Sequence, residues 1–286
     1  MRIGIGLPTT LPGATGDLIL DWARQADSGP FTSLGVFDRV RYDSFDPLVS
    51  LAAAAAVTHR VRLATNILIG PLQNTVLLGK MAASIDALSN GRLTLGLAVG
   101  ARRDDYDAAG VEYHDRGRKL AEQLALLREQ WEDESVDSIG PRPVQPSGPE
   151  LLIGGGSDAT FARMARYADG YVHGGGPPRA FARAVDKARS AWADAGRPGL
   201  PRLWAQGYFA FGDEAILQIG RSYLADYYAF TGHFAERIVA GLLTSPQAIA
   251  QFARGYADSG CDELVLFPAV ANIGQVAHLA DALQRL

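Results

Sequence analysis

Cysteine is nearly absent from this 286-residue chain, which contains only Cys261. One thiol cannot form an intrachain disulfide, and one chain cannot build a thiolate zinc site or an iron–sulfur cluster from it. Such sparse cysteine usage favours a reducing, cytoplasmic compartment. The sequence also lacks HExxH and GxSxG motifs, and its histidines show no metal-ligand spacing. We therefore expect no bound metal and no serine nucleophile.

Long apolar runs and clusters of one charge are missing as well. The alanine run at 52–56 is far too short to cross a bilayer, and the opening MRIGIGLP lacks the apolar segment of a secretory signal. The 27 basic and 31 acidic residues give a net charge of −4, with no long basic cluster. We expect neither a membrane role nor a nucleic-acid partner. Hydrophobic residues make up 48%, enough for a sizeable core.

Residues 61–100 carry the clearest local pattern, a complete βαβ unit. Apolar runs at Val61–Ile67 and Leu93–Val99 are typical of parallel strands covered on both faces. Between them Thr75 is a plausible N-cap, and Asn90-Gly91 suits a helix C-terminus. Apolar residues recur between these ends at helical spacing and predict one core-facing stripe, formed by Leu77, Leu78, Met81, Ala82, Ile85 and Leu88.

The same alternation of strand and helix continues along the whole chain. It gives about eight strands, each followed by a helix, which predicts a (β/α)8 TIM barrel in a single domain over residues 1–286. The Pro/Gly-rich segment Ile139–Pro149 fits an insertion between strands four and five. An irregular excursion at 220–246, between strands seven and eight, is expected over the C-terminal face, where barrel active sites lie.

A glycine-rich turn follows the predicted fifth strand. Gly154, Gly155, Gly156 and Ser157 would offer successive backbone N–H groups at a helix N-terminus, which suits a phosphate; a tight turn without ligand is the alternative. At the end of the sixth strand His173 is the best-placed candidate for acid/base work near neutral pH.

Charged and aromatic residues are predicted around the rest of the barrel mouth, the C-terminal face at which the strands end. Asp38 and Arg39 end the second strand and either face the site or form an ion pair at the barrel rim. The charged loop 102–105 either grips a polar ligand or is solvated. The aromatic cluster 223–234 either packs as ordinary helix or covers a planar or apolar ligand.

Several stretches together resemble the bacterial luciferase-like, flavin-dependent oxidoreductases over nearly the full chain. They are RIGIGLP, VRLATNILIGPLQNTVLLGKMAASIDALSNGRLTLGLAVG, GVEYHDRGRKLAEQLALLREQW and LLIGGGSDATFARMARYADGYV. The resemblance implies a (β/α)8 barrel that uses reduced FMN with oxygen, or the deazaflavin coenzyme F420 for hydride transfer. It also suggests a separate flavin reductase as partner, and a homodimer.

The resemblance assigns roles to individual residues. Gly154, Gly155, Gly156 and Ser157 would hold the cofactor phosphate, in agreement with the anion site above. A non-proline cis peptide at Asn66-Ile67 would back the ring, with Asp38 and Gly100 at its edge. The substrate would lie under the excursion, against Tyr227, Tyr228 and Phe230, where Arg39 or His173 would steady charge or handle a proton.

Two differences between this sequence and members of the family exclude some of the family's reactions. Deazaflavin-dependent sugar-phosphate and alcohol dehydrogenases of this family carry a histidine where this chain has Arg39, and the sugar-phosphate enzymes' glutamate is missing near Ala101. The chain is also shorter than the luciferases, which disfavours light emission. We expect a monooxygenase acting on a small organic substrate. The alternatives are deazaflavin-dependent hydride transfer, non-catalytic flavin binding and, ranked last, a phosphosugar isomerase or aldolase, whose only acidic strand candidate is Glu263.

Overall fold

The computed structural model describes residues 1–133 and 139–284 and has the predicted fold. Eight parallel strands form a closed barrel in chain order, with β1 hydrogen-bonded to β8. Their nearly continuous apolar runs are buried on both faces, as parallel strands require. The strands are β1 (Arg2–Gly6), β2 (Ser33–Val36), β3 (Arg62–Ile69), β4 (Leu93–Ala98), β5 (Glu150–Gly154), β6 (Gly170–His173), β7 (Arg202–Phe209) and β8 (Glu263–Pro268).

The α-helices lie outside the barrel or over its mouth. They are α1 (Gly16–Ser28), α2 (Pro47–Val57), α3 (Thr75–Leu88), α4 (Arg103–Ala109), α5 (Arg116–Glu132), α6 (Asp158–Tyr167), α7 (Pro178–Asp194), α8 (Glu214–Tyr227), α9 (Phe234–Ala240), α10 (Pro246–Asp258) and α11 (Gly274–Leu283). Across the described part of the chain, none of them is long and apolar enough to cross a membrane.

Helix α3 corrects two details of the sequence prediction. Its N-cap is Asn74, whose side-chain oxygen accepts the Leu77 N–H at 3.1 Å, and not Thr75, which is the first helical residue. Of the predicted apolar stripe, Leu78, Ala82 and Ile85 are buried. The other members lie on the outward side, with Leu77 58%, Met81 39% and Leu88 71% exposed. The core-facing stripe is therefore narrower than the sequence suggested, because the apolar residues extend round the helix.

The segments around the barrel mouth are more helical than predicted. The charged loop after β4 contains α4, which begins directly after Arg102. The excursion between β7 and β8 is also largely regular. It consists of the second half of α8, a 3-10 turn at Ala229–Thr231 and α9. The aromatic residues of this segment, which was predicted to be irregular, therefore lie at defined positions along helical turns.

The opposite end of the barrel is closed by Glu263. Its buried carboxylate accepts hydrogen bonds from the hydroxyls of Thr32 at 2.5 Å and Ser33 at 2.6 Å, and pairs with Arg2 at 2.8 Å. These contacts join β1, β2 and β8 where the first and last strands meet. Glu263 thus has a structural role at the N-terminal face, away from the mouth, as its position at a strand N-terminus indicated.

Replacing Glu263 with glutamine is expected to lower the free energy of unfolding by about 1–3 kcal/mol, because an amide satisfies the buried hydroxyls and Arg2 less well than a carboxylate. Urea denaturation would measure the change. The matched control is Glu214→Gln, because Glu214 forms an exposed ion pair with Arg221, and such pairs contribute about 0–1 kcal/mol. Equal stability of the two variants would contradict the closing role of Glu263.

Candidate active site

A cavity of about 160 Å³ lies at the C-terminal mouth of the barrel. It brings together eight of the residues predicted from sequence, which are Asp38, Arg39, Asn66, Ile67, Gly100, Tyr227, Tyr228 and Phe230. The rest of the lining consists of Arg102 and Asp105 from the charged loop 102–105, and of Phe37, Ile69, Ala101 and Gln206, which were not predicted as site residues. The cavity therefore stands where the strand ends of a TM barrel normally form an active site.

The floor of this mouth cavity includes Asn66 and Ile67. The peptide bond between them is cis, as predicted. The pairing of β3 with β4 shifts register between Thr65 and Leu68, so the strand is irregular at this point. The Asn66 side chain is buried, and neither its Oδ1 nor its Nδ2 has a hydrogen-bond partner among the described residues. A buried amide with both groups free offers one donor and one acceptor to a ligand.

Asp38 lies beside this floor in a largely buried position. One carboxylate oxygen accepts the main-chain N–H of Ile69 at 2.8 Å, which links the ends of β2 and β3. Burial raises the pKa of Asp38 to about 6, with Asp46 and Asp105 acting in the same direction. The side chain can therefore hold or release a proton near neutral pH at the edge of the cavity.

Arg39 pairs with two carboxylates of the next loop and not with Asp38. It contacts Asp104 at 3.2 Å and Asp105 at 3.0 Å, with its own side chain almost fully buried. The Asp105 carboxylate also accepts the N–H groups of Val40 at 3.0 Å and Arg41 at 2.8 Å. Arg39 therefore forms its ion pairs with Asp104 and Asp105, while both Asp38 and Arg39 line the cavity. Because it is neutralised, Arg39 serves first to join two loops.

Aromatic side chains of α8 and the following 3-10 turn cover the cavity. Tyr227 is buried and Tyr228 is partly buried, and the Tyr228 hydroxyl lies 2.5 Å from that of Tyr208 on β7. Burial raises the pKa of both Tyr227 and Tyr228, so each stays a neutral phenol. Phe230 is half-exposed at the outer edge. This cover suits a planar or apolar ligand, as the sequence suggested.

The glycine-rich turn borders the cavity through Ile67. A Cβ placed on Gly154, the last residue of β5, would lie 3.1 Å from the side chain of Ile67 on β3, so the start of the turn is adjacent to the cavity floor. Gly155 has φ +129°, a conformation that favours glycine, whereas a Cβ on Gly156 would meet open space. Ser157 caps α6, its hydroxyl accepting the Thr160 N–H at 3.3 Å. The turn therefore leads into the N-terminus of α6, and its binding of a phosphate stays a prediction.

His173 lies beside the glycine-rich turn and outside the lining of the mouth cavity. Its Nδ1 is 3.2 Å from the Tyr171 hydroxyl, which donates to the Gly155 carbonyl at 2.9 Å. Burial lowers the pKa of His173 to about 4, so the ring is neutral at physiological pH. Its buried Nε2 has no hydrogen-bond partner within residues 1–133 and 139–284. The structure connects His173 to the predicted phosphate site; its acid/base role stays a prediction.

A larger cavity of about 400 Å³ opens between α8 and the loops after β1 and β8. Its lining is mostly apolar and includes Leu11, Ile219 and Val270. It contains none of the predicted site residues. Tyr223 lines this cavity and Tyr227 lines the mouth cavity, with ring centres 5.6 Å apart. We place the chemistry in the smaller cavity because the partnerless amide and the titratable carboxyl lie there.

Comparison with known proteins agrees with this geometry. The family model described as luciferase-like monooxygenase matches residues 1–283. A protein of Mycobacterium bovis is 35% identical over 175 residues, covering 57% of this chain and 61% of that protein. Pyrimidine monooxygenase RutA of Methylobacterium radiotolerans is 34% identical over 169 residues, 51% of this chain and 43% of that enzyme. The matched part thus spans about half of each of these relatives.

A solved structure shows the same fold over almost the whole chain. An F420-dependent secondary alcohol dehydrogenase in complex with an F420-acetone adduct has a TM-score of 0.82 at 14% identity. The likeness covers 98% of this chain and 97% of the dehydrogenase. At this identity the comparison establishes the shared barrel.

The raised pKa of Asp38 predicts a pH-dependent stability. An unfolded aspartate has a pKa near 3.9, so between about pH 4 and 6 the folded protein binds more protons than the unfolded chain, and rising pH lowers stability. Asp38→Asn removes this effect. The free energy of unfolding of the variant, taken relative to that of the parent at the same pH, should rise by about 1–3 kcal/mol from pH 4 to pH 7.5. Urea denaturation at both pH values measures the gain, and the exposed Asp43→Asn should show none.

Proposed function

Because the chain belongs to the luciferase-like monooxygenase family, we propose that it is a flavin-dependent oxidoreductase with the cofactor ring in the mouth cavity. The observation that carries this proposal is the Asn66 amide, which is buried in the cavity wall and whose donor and acceptor have no hydrogen-bond partner in the described part of the chain. A flavin or deazaflavin ring presents hydrogen-bonding groups along one edge and would satisfy both. The aromatic lining of the cavity suits contact with a planar group, and we propose a small organic molecule as substrate.

The chain's own residues have distinct tasks in this proposal. Asn66 and Ile67 support the ring, Gly100 leaves room at its edge, and Gly154 to Ser157 bind the phosphate. Asp38 holds or moves a proton at its carboxyl, 2.8 Å from the Ile69 N–H. Tyr227 and Tyr228 exclude water from above. When bound, the reduced cofactor supplies the electrons for oxygenation or hydride transfer.

Reduced FMN with oxygen is the proposed cofactor system. The likeness to pyrimidine monooxygenase RutA supports it, as does Arg39, which stands in the place of the dehydrogenases' histidine. A monooxygenase of this kind would receive reduced FMN from a separate flavin reductase. The alternative is hydride transfer with the deazaflavin coenzyme, and the structural neighbour that uses F420 makes it worth testing in parallel.

The first test is a parallel titration of the purified protein with FMN and with coenzyme F420, following the fluorescence of each cofactor. We expect FMN to be quenched at micromolar concentration. Asn66→Leu should weaken binding roughly tenfold, because about 1–2 kcal/mol of hydrogen bonding is lost. Absence of binding by both cofactors would contradict the proposed function, and tight binding of F420 alone would replace FMN by the deazaflavin.

A charge placed in the glycine-rich turn tests the phosphate site. Gly156→Asp is the cleanest variant, since a side chain there meets open space, whereas one at Gly155 would be strained. A carboxylate about 5 Å from the phosphate repels it by about 3 kcal/mol at an effective dielectric constant of 20, so FMN should bind at least roughly tenfold more weakly. Gly156→Ala is the matched control, and riboflavin, which has no phosphate, should bind both variants equally.

Turnover separates an enzyme from a flavin-binding protein without catalysis. The protein loaded with reduced FMN is mixed with oxygen and candidate substrates, and the oxidised products are quantified against free reduced FMN. Substrate-dependent oxygenated product is expected. Flavin oxidation that matches the rate in free solution for every substrate, despite tight binding, would instead support a storage or carrier role.

A further inference from the structure

Arg102 is a buried cation in the wall of the mouth cavity. It precedes α4, is 8% exposed and lines the cavity. Its guanidinium lies over two rings of the aromatic cover, 4.3 Å from the ring centre of Tyr227 and 4.2 Å from that of Phe230. Such stacking holds the planar group in one orientation.

Within residues 1–133 and 139–284, no carboxylate lies within ion-pair distance of this guanidinium. Its Nη2 donates to the main-chain carbonyl of Tyr227, and its Nε is buried without a partner. Arg39, equally buried in the same wall, contacts both Asp104 and Asp105. The two arginines of this wall therefore differ in charge balance: Arg39 is neutralised and Arg102 is not.

A buried guanidinium without a counter-charge is unfavourable, and cation–π contacts offset only part of the cost. Its fork of N–H donors matches a carboxylate or a phosphate group. We propose that Arg102 binds an anionic group, carboxylate or phosphate, of the substrate, and so selects anionic substrates. This inference rests on the proposed function for the role of the cavity, but the binding itself requires only the cavity.

The position of Arg102 favours a substrate anion over the cofactor phosphate. Arg102 contacts the cover formed by Tyr227 and Phe230, where the substrate is proposed to lie. The predicted phosphate site is at the separate turn Gly154 to Ser157, which is absent from the cavity lining. An anionic group of the substrate and the phosphate of the cofactor would present the same chemistry to Arg102, so the experiment must distinguish them.

The test measures binding by calorimetry of two pairs of probes, benzoate with neutral benzamide and phenyl phosphate with neutral phenol. Each is titrated into the protein with and without FMN. We expect at least one anion to bind tenfold or more tightly than its neutral partner, with the preference decreasing as salt is added. Arg102→Gln should abolish the preference and Arg102→Lys should keep part of it. Arg103→Gln, which removes an exposed neighbouring cation, should leave it intact.

Several results would overturn the proposal: no preference for either anion in the parent, or a preference that survives in Arg102→Gln. A loss of FMN affinity with unchanged riboflavin affinity in Arg102→Gln would assign the residue to the cofactor phosphate instead. If Arg102→Gln fails to fold, Arg102→Lys serves as the test. An anion preference in Arg102→Lys that equals the parent's, or that is completely lost, would contradict a bidentate contact. Anion preference in a protein that binds neither FMN nor F420 would reject the proposed function alone.

Discussion

The buried carboxylate of Asp105 is the constraint on which the mouth of the barrel depends. A charge without solvent must be paired or hydrogen-bonded, and Asp105 meets this need with the N–H groups of Val40 and Arg41 and the guanidinium of Arg39. The loop after β2 is thereby held against α4. Asp38, at the start of that loop, and Arg102, at the end of β4's loop, take their places in the cavity wall as a result.

The two ends of the barrel use buried charge for different purposes. At the N-terminal face the Glu263 carboxylate contacts Thr32, Ser33 and Arg2 and closes the barrel. At the mouth, the Asn66 amide and the Arg102 Nε have no hydrogen-bond partner among the described residues. Such incomplete satisfaction costs stability and is typical of sites that await a ligand.

The barrel was predictable from the sequence because apolar runs of strand length alternate with helical periodicity throughout the chain. The cis peptide at Asn66-Ile67 and the cover by Tyr227 came from the resemblance and from the barrel rule that sites lie at strand ends. The sequence did not show which charged residues of different loops form ion pairs. Asp105 was one of four charges in a loop that either binds a polar ligand or is solvated, and only the fold brings it against Arg39. Gln206 was not predicted, because a single polar residue within a strand rich in aromatic residues produces no recognisable sequence pattern. It nevertheless lines the cavity and donates to the Gly174 carbonyl at 3.3 Å.

The partition between the two mouth cavities consists of side chains only. Tyr223 and Tyr227, neighbours on one face of α8, separate a space of about 160 Å³ from one of about 400 Å³. Neither residue belongs to the barrel strands, so shortening either side chain would join the two spaces and leave the strand residues of the mouth cavity unchanged. The size of a molecule accepted at this end of the barrel would then depend on two side chains of α8 and not on the strands.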